Sequence, residues 1–328
     1  MRMHHLLTGL AIAAAAAAGP AHAALTSFQT FVGNYGVSTD GWGSTSQSGI
    51  ISASVPAGAT VVGAYLYTST FTDSSLTGVG GSINGTNLGS VTSLGSNNVG
   101  LTAGRYDVTS ILKPTIDAGP GGIYDFRVTE TSAAQDGYAL VVVYHQASLA
   151  VSTVGILDGF SQTTGDSTAI NFADPLNPAA PGFFAEMRLG IGFSCCNQRS
   201  TVSVNGTVIT ENAGNNDDAT EALSNGNLIT VGGFDDPFST LLPSYENDHE
   251  RYNLVDYISA GDTSIRIDTR NPSNDDNIFL AVFHTSGRAG INEPPPPNGV
   301  PEPASMALVG MALAGLGWQR RRARAAKA

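Results

Sequence analysis

The feature that most constrains the fold lies in residues 24–299, where no stretch keeps a helical repeat over three turns. The segment contains short runs that alternate or are wholly apolar, bounded by Gly, Asn, Asp and Ser. Residues 264–268 alternate, as in a strand with one wet face, whereas residues 140–144 are apolar throughout, as in a strand covered on both faces. This pattern predicts an all-β sandwich and disfavours an α/β sheet with crossover helices. The predicted strands cover residues 60–68, 82–84, 123–130, 138–145, 151–157, 184–193, 201–205, 264–268 and 278–284.

The charge balance of this segment limits the kinds of molecule that the protein can bind. It contains nine of the 15 basic residues and 26 of the 27 acidic ones, and Lys113 is its only lysine. An acidic surface disfavours nucleic acid and anionic membranes as partners, so we predict no nucleic-acid binding. Over the full chain, the 39 glycines and a charged content of 13% suit short strands joined by tight turns.

The N-terminus has the three regions of a secretory signal peptide. Arg2 precedes an apolar run over residues 6–18, and Ala21 and Ala23 form a small-residue cleavage site. We predict a signal peptide over residues 1–23, export through the Sec translocon and cleavage before Ala24. A membrane anchor is the alternative, but about 13 apolar residues are too few to span a bilayer.

The C-terminal segment, residues 300–328, combines a proline-bracketed site, an apolar run and a basic end. Pro301 and Pro303 hold Glu302 in an extended segment that a processing enzyme could grip. Residues 304–318 predict a membrane helix of roughly 22 Å, which is short for a hydrocarbon core of ~30 Å. The basic tail, residues 319–328, should stay in the cytoplasm and act as a positive stop through Arg320, Arg321, Arg322 and Arg324. A buried C-terminal core helix is the alternative.

This arrangement resembles the PEP-CTERM sorting signal of exported bacterial proteins, in which Pro301, Glu302 and Pro303 match the recognition tripeptide. The resemblance implies processing by an exosortase, a membrane protease that removes the tail. It also implies an inner-membrane precursor that faces the periplasm, and a product in the cell envelope or outside the cell. The same tail is also called an ice-binding protein C-terminal domain, but that label is no evidence of ice binding.

A weak internal repeat predicts two related β domains, at residues 24–162 and 163–290. Residues 82–86 are similar to 203–207, residues 105–108 to 251–254, and residues 141–145 to 280–284, in the same order. Chance similarity is the alternative.

Each half also resembles galactose-binding-like jelly-roll modules. The resemblance rests on Asn84-Gly85 with residues 106–109, and on Asn205-Gly206 with residues 252–255 and 261–267. Residues 137–144, with 158–160, are similar to bacterial surface and adhesin-type proteins. These likenesses imply a jelly-roll sandwich in each half, and they name no ligand.

Catalytic patterns are sparse, and we predict that the protein is not an enzyme. The segment has three histidines, His145, His249 and His284, none in a zinc-protease motif, and no nucleophile elbow follows a strand. We expect His145 and His284 to close equivalent strands with bonds to the backbone. Paired carboxylates for glycoside hydrolysis are left open, since their separation in space defines them.

Acidic loops offer weak candidates for calcium, and no other cofactor is expected. Oxygen ligands gather at residues 235–236 and 246–248, and at Asp217, Asp218, Asp275 and Asp276, without EF-hand spacing. The alternative is solvated turns whose Asn and Asp side chains bond their own backbone.

The two cysteines, Cys195 and Cys196, are adjacent. Neighbouring Cα atoms lie ~3.8 Å apart, below the usual ~4.4 Å minimum for a disulfide. A strained vicinal disulfide, intermolecular links and buried thiols are all open outcomes for an exported protein.

Residues 291–299 form a proline-rich linker, which we interpret as a stiff spacer before the sorting tripeptide, with a disordered tail as the alternative. Together these observations predict an exported structural or interaction protein of the exopolymer layer, with exopolysaccharide as a partner. A carbohydrate-binding or adhesive module is the second interpretation and would need exposed aromatics such as Trp42, Tyr65 or Tyr67. A secreted hydrolase is the third.

Overall fold

A computed structural model describes residues 25–71, 76, 78–96, 100–161, 163–194, 200–214, 228–240, 242, 248–271 and 277–296. These residues form antiparallel β-sheets that build two sandwiches, which confirms the all-β prediction. Each sandwich has an outer sheet facing solvent and an inner sheet facing the other sandwich.

The first sandwich is built from residues 35–145. Its inner sheet has the order β2 (Tyr35–Gly43), β10 (Gln135–His145), β4 (Thr60–Thr70), β8 (Thr102–Asp107) and β7 (Thr92–Ser96). Its outer sheet has the order β3 (Ser48–Val55), β9 (Gly122–Glu130), β5 (Gly81–Ile83) and β6 (Thr86–Asn87).

The second sandwich follows the same plan and has three further strands. Its inner sheet has the order β1 (Thr26–Gly33), β11 (Ser152–Asp158), β19 (Asn277–Ser286) and β13 (Ala185–Ser194), with β16 (Leu228–Val231) and β17 (Arg251–Asn253) along the free edge of β13. Its outer sheet has the order β15 (Thr207–Ala213), β14 (Ser200–Val204), β18 (Ser264–Arg270), β12 (Ser167–Phe172) and β20 (Ala289–Ile291).

The two sandwiches correspond strand for strand. The inner order β2-β10-β4-β8 matches β11-β19-β13-β17, and the outer order β3-β9-β5-β6 matches β12-β18-β14-β15. Eight antiparallel strands in these two four-stranded orders form a jelly roll, so both halves have the predicted fold.

Equivalent turns support the relationship between the halves. Asn84 and Asn205 both have positive φ, 48° and 49°, and each is followed by a glycine that also has positive φ. Asn and Gly tolerate this conformation, which a two-residue hairpin requires. Asn84 bonds the N–H and C=O of Arg127, and Asn205 bonds the same groups of Arg266.

The strands divide between the sandwiches differently from the predicted ranges. Both β1 and β11 precede residue 162, yet β1 pairs with β11, and β11 pairs with β19 of the second half. The chain passes from one sandwich to the other between His145 and Ser152, one strand before the predicted boundary. Hydrophobic alternation locates strands but not their partners, which explains the difference.

The third repeat pair was shifted in register. Leu66 and Met187 lie opposite the equivalent tyrosines of β8 and β17. Their partners on the other side are Leu140 and Phe283, whereas the sequence comparison equated Phe283 with Tyr144. Uniformly apolar strands do not fix a register from composition alone.

Three layers of apolar side chains hold the four sheets together. One core fills the first sandwich around Trp42 and Phe126, and another fills the second around Met187 and Phe283. The junction core lies between the two inner sheets and contains Tyr67, Val141, Ile156, Phe279 and Val282, as well as other buried residues. This third core explains why residues 140–144 are apolar at every position.

The described residues contain one α-helix, which is shorter than the three turns over which the sequence shows no helical repeat. It is α1, Thr109–Asp117, and it buries Leu112 and Ile116 against the first core, although it contains Pro114. A short 3-10 helix, Val255–Tyr257, follows β17 at the equivalent position. None of the helices in the described ranges is long and apolar enough to cross a membrane.

Candidate functional site

The predicted site residues lie outside the residues that the structure describes. They are Ala21 and Ala23 at the signal cleavage site, Cys195 and Cys196, the calcium candidates Asp217, Asp218, Asp275 and Asp276, the motif Pro301, Glu302 and Pro303, and Arg320, Arg321, Arg322 and Arg324. The signal peptide 1–23, the membrane helix 304–318 and the basic tail 319–328 lie outside as well. The described residues do show where the chain leaves the folded body towards the sorting motif.

The chain leaves the folded body after the edge strand β20, which is the last strand of the described residues. Ile291 lies opposite Ile170 on β12, and its side chain is buried in the second core. Gly155 of β11 leaves room for that side chain, since a Cβ on Gly155 would lie 2.6 Å from an Ile291 carbon. The last buried anchor of the body is therefore Ile291.

Hydrogen bonds extend this anchor by two residues. The Asn292 N–H donates to the Ala169 carbonyl at 2.7 Å, and the Ala169 N–H donates to Asn292 Oδ1 at 2.8 Å. The Asn171 side chain donates to the Glu293 carbonyl at 2.9 Å. We call Asn171, Asn292 and Glu293, with these bonds, the tail clamp.

The chain turns sharply at the tail clamp. Asn292 has φ of 57°, in the left-handed region that Asn tolerates. The carbonyls of Glu293 and Pro294 lie so near Gly290 that a Cβ there would be 2.7 and 2.4 Å from their oxygens. The linker therefore starts by folding back over β20, beside an open groove lined by Asn171, Phe172, Thr263 and Ser264.

Two ionic clusters lie at the junction between the sandwiches. In the first, Arg105 of β8 pairs with Asp158 of β11, and the Tyr67 hydroxyl donates to the same carboxylate at 3.1 Å. The guanidinium of Arg105 also lies over the ring of Phe28 on β1, 3.5 Å from its centre. Burial raises the pKa of Asp158, and Arg105 opposes this shift.

The second cluster centres on Glu186 of β13. Its carboxylate accepts from Arg188 at 2.7 Å and from Arg251 at 3.3 Å, and His284 Nδ1 lies 3.6 Å away. Arg188 also reaches the first sandwich, where it donates to Thr39 Oγ1 at 3.0 Å. Burial favours a higher pKa for Glu186, but His284 and the two arginines outweigh burial and lower the pKa to about 2.

His145 and His284 were expected to close strands with bonds to the backbone, and His284 differs from this expectation. His284 is in the Glu186 cluster and contacts the Phe184 ring, two residues before β19 ends. His145 does end β10, and its ring packs edge-on against Tyr35. His249 donates its backbone N–H to Ser239 Oγ.

A pair of buried carboxyls lies in the first sandwich at the start of β10. Burial, then the charge of Asp136, raises the pKa of Glu130 to about 8. Burial also raises the pKa of Asp136 to about 7, against a hydrogen bond from Ser69. The cavity beside Asp136 holds about 10 Å³, roughly the space of one water molecule.

The acidic loops show no metal geometry in the described part of the chain, where no three His, Cys, Asp or Glu residues are placed to hold an ion. Asp248, expected on a solvated loop, is fully buried and accepts from Thr210, Ser239 and Tyr252. Asp236 accepts from the Gly233 N–H at 2.6 Å, as a turn-capping side chain does.

The aromatic residues considered for glycan binding are core residues. Trp42, Tyr65 and Tyr67 are at most 5% exposed. Trp42 stacks on Tyr138 in the first core, while Tyr65 and Tyr67 belong to the junction core.

Sequence reasoning missed the ionic clusters because their members are distant along the chain. Arg188 and Thr39, for example, are 149 residues apart. One signal was present, since Arg105 and Arg251 occupy the same position of the internal repeat, and each lies in one cluster.

Comparison with known protein families supports the predicted C-terminal sorting signal. Residues 299–322 match the PEP-CTERM protein-sorting motif. A search of curated proteins found no match to the chain. The motif supports an exported protein that an exosortase processes in transit.

Proposed function

We propose that this protein is a non-enzymatic structural component of the cell envelope or extracellular matrix. Its double jelly roll is exported, sorted through the C-terminal motif and released into the exopolymer layer, where exopolysaccharide is its partner. The sorting motif at residues 299–322, directly behind a folded β body, carries this proposal.

Delivery follows from the order of the segments. The signal peptide directs the chain through the Sec translocon, and residues 304–318 hold the precursor in the inner membrane with the body in the periplasm. The exosortase then cuts near Pro301, Glu302 and Pro303. A helix of roughly 22 Å is a marginal span, which suits a temporary anchor.

The architecture of the body supports a structural role. The inner sheets of the two sandwiches pack against each other. At the junction Arg105 forms an ion pair with Asp158, and Arg188 donates a hydrogen bond to Thr39. The strongly shifted carboxyls Glu130 and Asp136 are buried in the fold. The proposal therefore assigns a structural role to these ionisable groups.

The test replaces Pro301, Glu302 and Pro303 with alanine in the full chain, in a host that has an exosortase. The precursor should keep its basic end and accumulate in the membrane fraction, whereas the control variant Asn298→Ala should be processed normally. Tail removal that is unchanged in the triple variant would refute the proposal.

A carbohydrate-binding module is the second candidate and is tested separately. Since Trp42, Tyr65 and Tyr67 are buried, a glycan site would have to use other residues. Glycan-array binding by the 24–299 fragment distinguishes the two roles. Specific binding to one polysaccharide would favour an adhesive module, and silence on every glycan would favour the structural role.

A further inference from the structure

The tail clamp fixes the point from which the sorting tail is tethered. Ile291 is buried, and Asn292 and Glu293 are held by three hydrogen bonds to Ala169 and Asn171 of β12. Asn292 and Glu293 are themselves exposed, so burial does not hold them in place. Without the clamp bonds, the tether would begin directly after Ile291.

The length of chain beyond the clamp is short. Seven residues, 294–300, separate Glu293 from Pro301, and four of them are prolines. Proline-rich chain extends by ~3.1 Å per residue, so a linker of this length in that conformation would reach roughly 25 Å from the clamp. A folded body of two stacked sandwiches must therefore stay close to the membrane while the tail is cut.

We infer that the tail clamp is a positioning device for tail removal, in which Asn171 and Asn292 set the usable length of the linker. This inference rests on the proposed function, because it concerns access of the exosortase to its site. Opening the clamp frees residues 292 and 293 and lengthens the tether by roughly 7 Å. Deleting two linker prolines shortens it by roughly 6 Å. In the combined variant, the two changes in tether length should nearly cancel.

The clamp can be opened selectively. Asn292→Ala removes the Oδ1 acceptor. Because alanine disfavours positive φ, the substitution also weakens the backbone bond from residue 292 to the Ala169 carbonyl, which it does not delete. Asn171→Ala removes the bond to the Glu293 carbonyl. Neither side chain belongs to the second core, so Ile291 and that core should stay in place.

The experiment follows loss of the tail by pulse-chase in the full chain, in an exosortase-containing host. The deletion of Pro296 and Pro297 should slow processing, and adding N171A and N292A should restore most of the lost rate. A deletion of residues 294–297 removes roughly 12 Å, so the same pair of substitutions should not restore it fully. Fluorescence of Trp42 in the 24–299 fragment of each variant checks that the variant is folded.

The matched control is Asn87→Ala, an exposed asparagine that bonds Gly89 in a turn of the other sandwich. It should leave the shortened variant slow. A shortened linker that is processed at the normal rate would overturn the inference, as would a slow variant that N171A and N292A do not rescue. The proposed function fails separately, if the alanine triple variant of the sorting motif is still processed.

Discussion

The junction core predicts that the two jelly rolls unfold as one unit. It contains twelve buried Val, Leu, Ile and Phe residues, and full burial of one such side chain contributes about 1.5–3 kcal/mol. If separating the sandwiches exposed only a third of that surface, the cost would still be at least about 6 kcal/mol, comparable to the whole stability of a typical domain. Damage to one sandwich should therefore destabilise the other.

Phe283→Ala tests this coupling from the second core. Phe283 is 1% exposed there, and truncating a buried Phe costs about 3–5 kcal/mol. For a body of this size the melting temperature should fall by roughly 6–10 °C. The chain has two tryptophans, and only Trp42, in the first core, remains in the 24–299 fragment. Trp42 fluorescence should therefore report the same lowered midpoint as circular dichroism.

The control is Ile123→Ala, a change on the first sandwich at a side chain that is 65% exposed. It should move either midpoint by no more than about 0.5 kcal/mol in free energy. The reasoning is refuted if Phe283→Ala lowers the midpoint by circular dichroism while the midpoint by Trp42 fluorescence stays at the wild-type value.

Three further predictions concern buried charges and the cysteines. The pKa of Glu186 is lowered to about 2, so its contribution to stability is present above its unfolded pKa and lost as pH falls through about 2. The melting temperature of Glu186→Gln should therefore fall less than that of the wild type between pH 5 and 2. The pKa of Asp136 is raised to about 7, so its contribution to stability is present below its unfolded pKa and lost as pH rises through about 7. Asp136→Asn should therefore lose less melting temperature than the wild type between pH 5 and 8. An unchanged slope of melting temperature against pH would contradict this. Cys195 and Cys196 should appear as a vicinal disulfide in the exported protein, two hydrogens lighter by non-reducing mass spectrometry, and an unmodified dithiol mass would contradict it.

Local signals predicted much of the fold. The Asn84-Gly85 and Asn205-Gly206 turns each have the positive φ values that a tight hairpin needs. The strands predicted before them, at residues 82–84 and 201–205, form as β5 and β14. These turns depend only on residues that are adjacent in the chain, so they can be predicted from the local sequence. The internal repeat was visible for the same reason.

Features that depend on distant residues were not predictable. The pairing of β1 with β11, and the shift of β11 to the second sandwich, follow from how two apolar faces meet, which alternation does not encode. Pro114 and the short length of α1 concealed its helical pattern. The tail clamp joins Asn292 to Ala169, 123 residues away, so the linker gave no sign of where it becomes tethered.

The most direct test of the account is the intact mass of the protein recovered from outside the inner membrane of an exosortase-containing host. The account predicts a chain that begins at Ala24 and lacks the apolar run and basic end, residues 304–328. A recovered protein that retains Arg320, Arg321, Arg322 and Arg324, or a full-length chain found only in the cytoplasm, would contradict it.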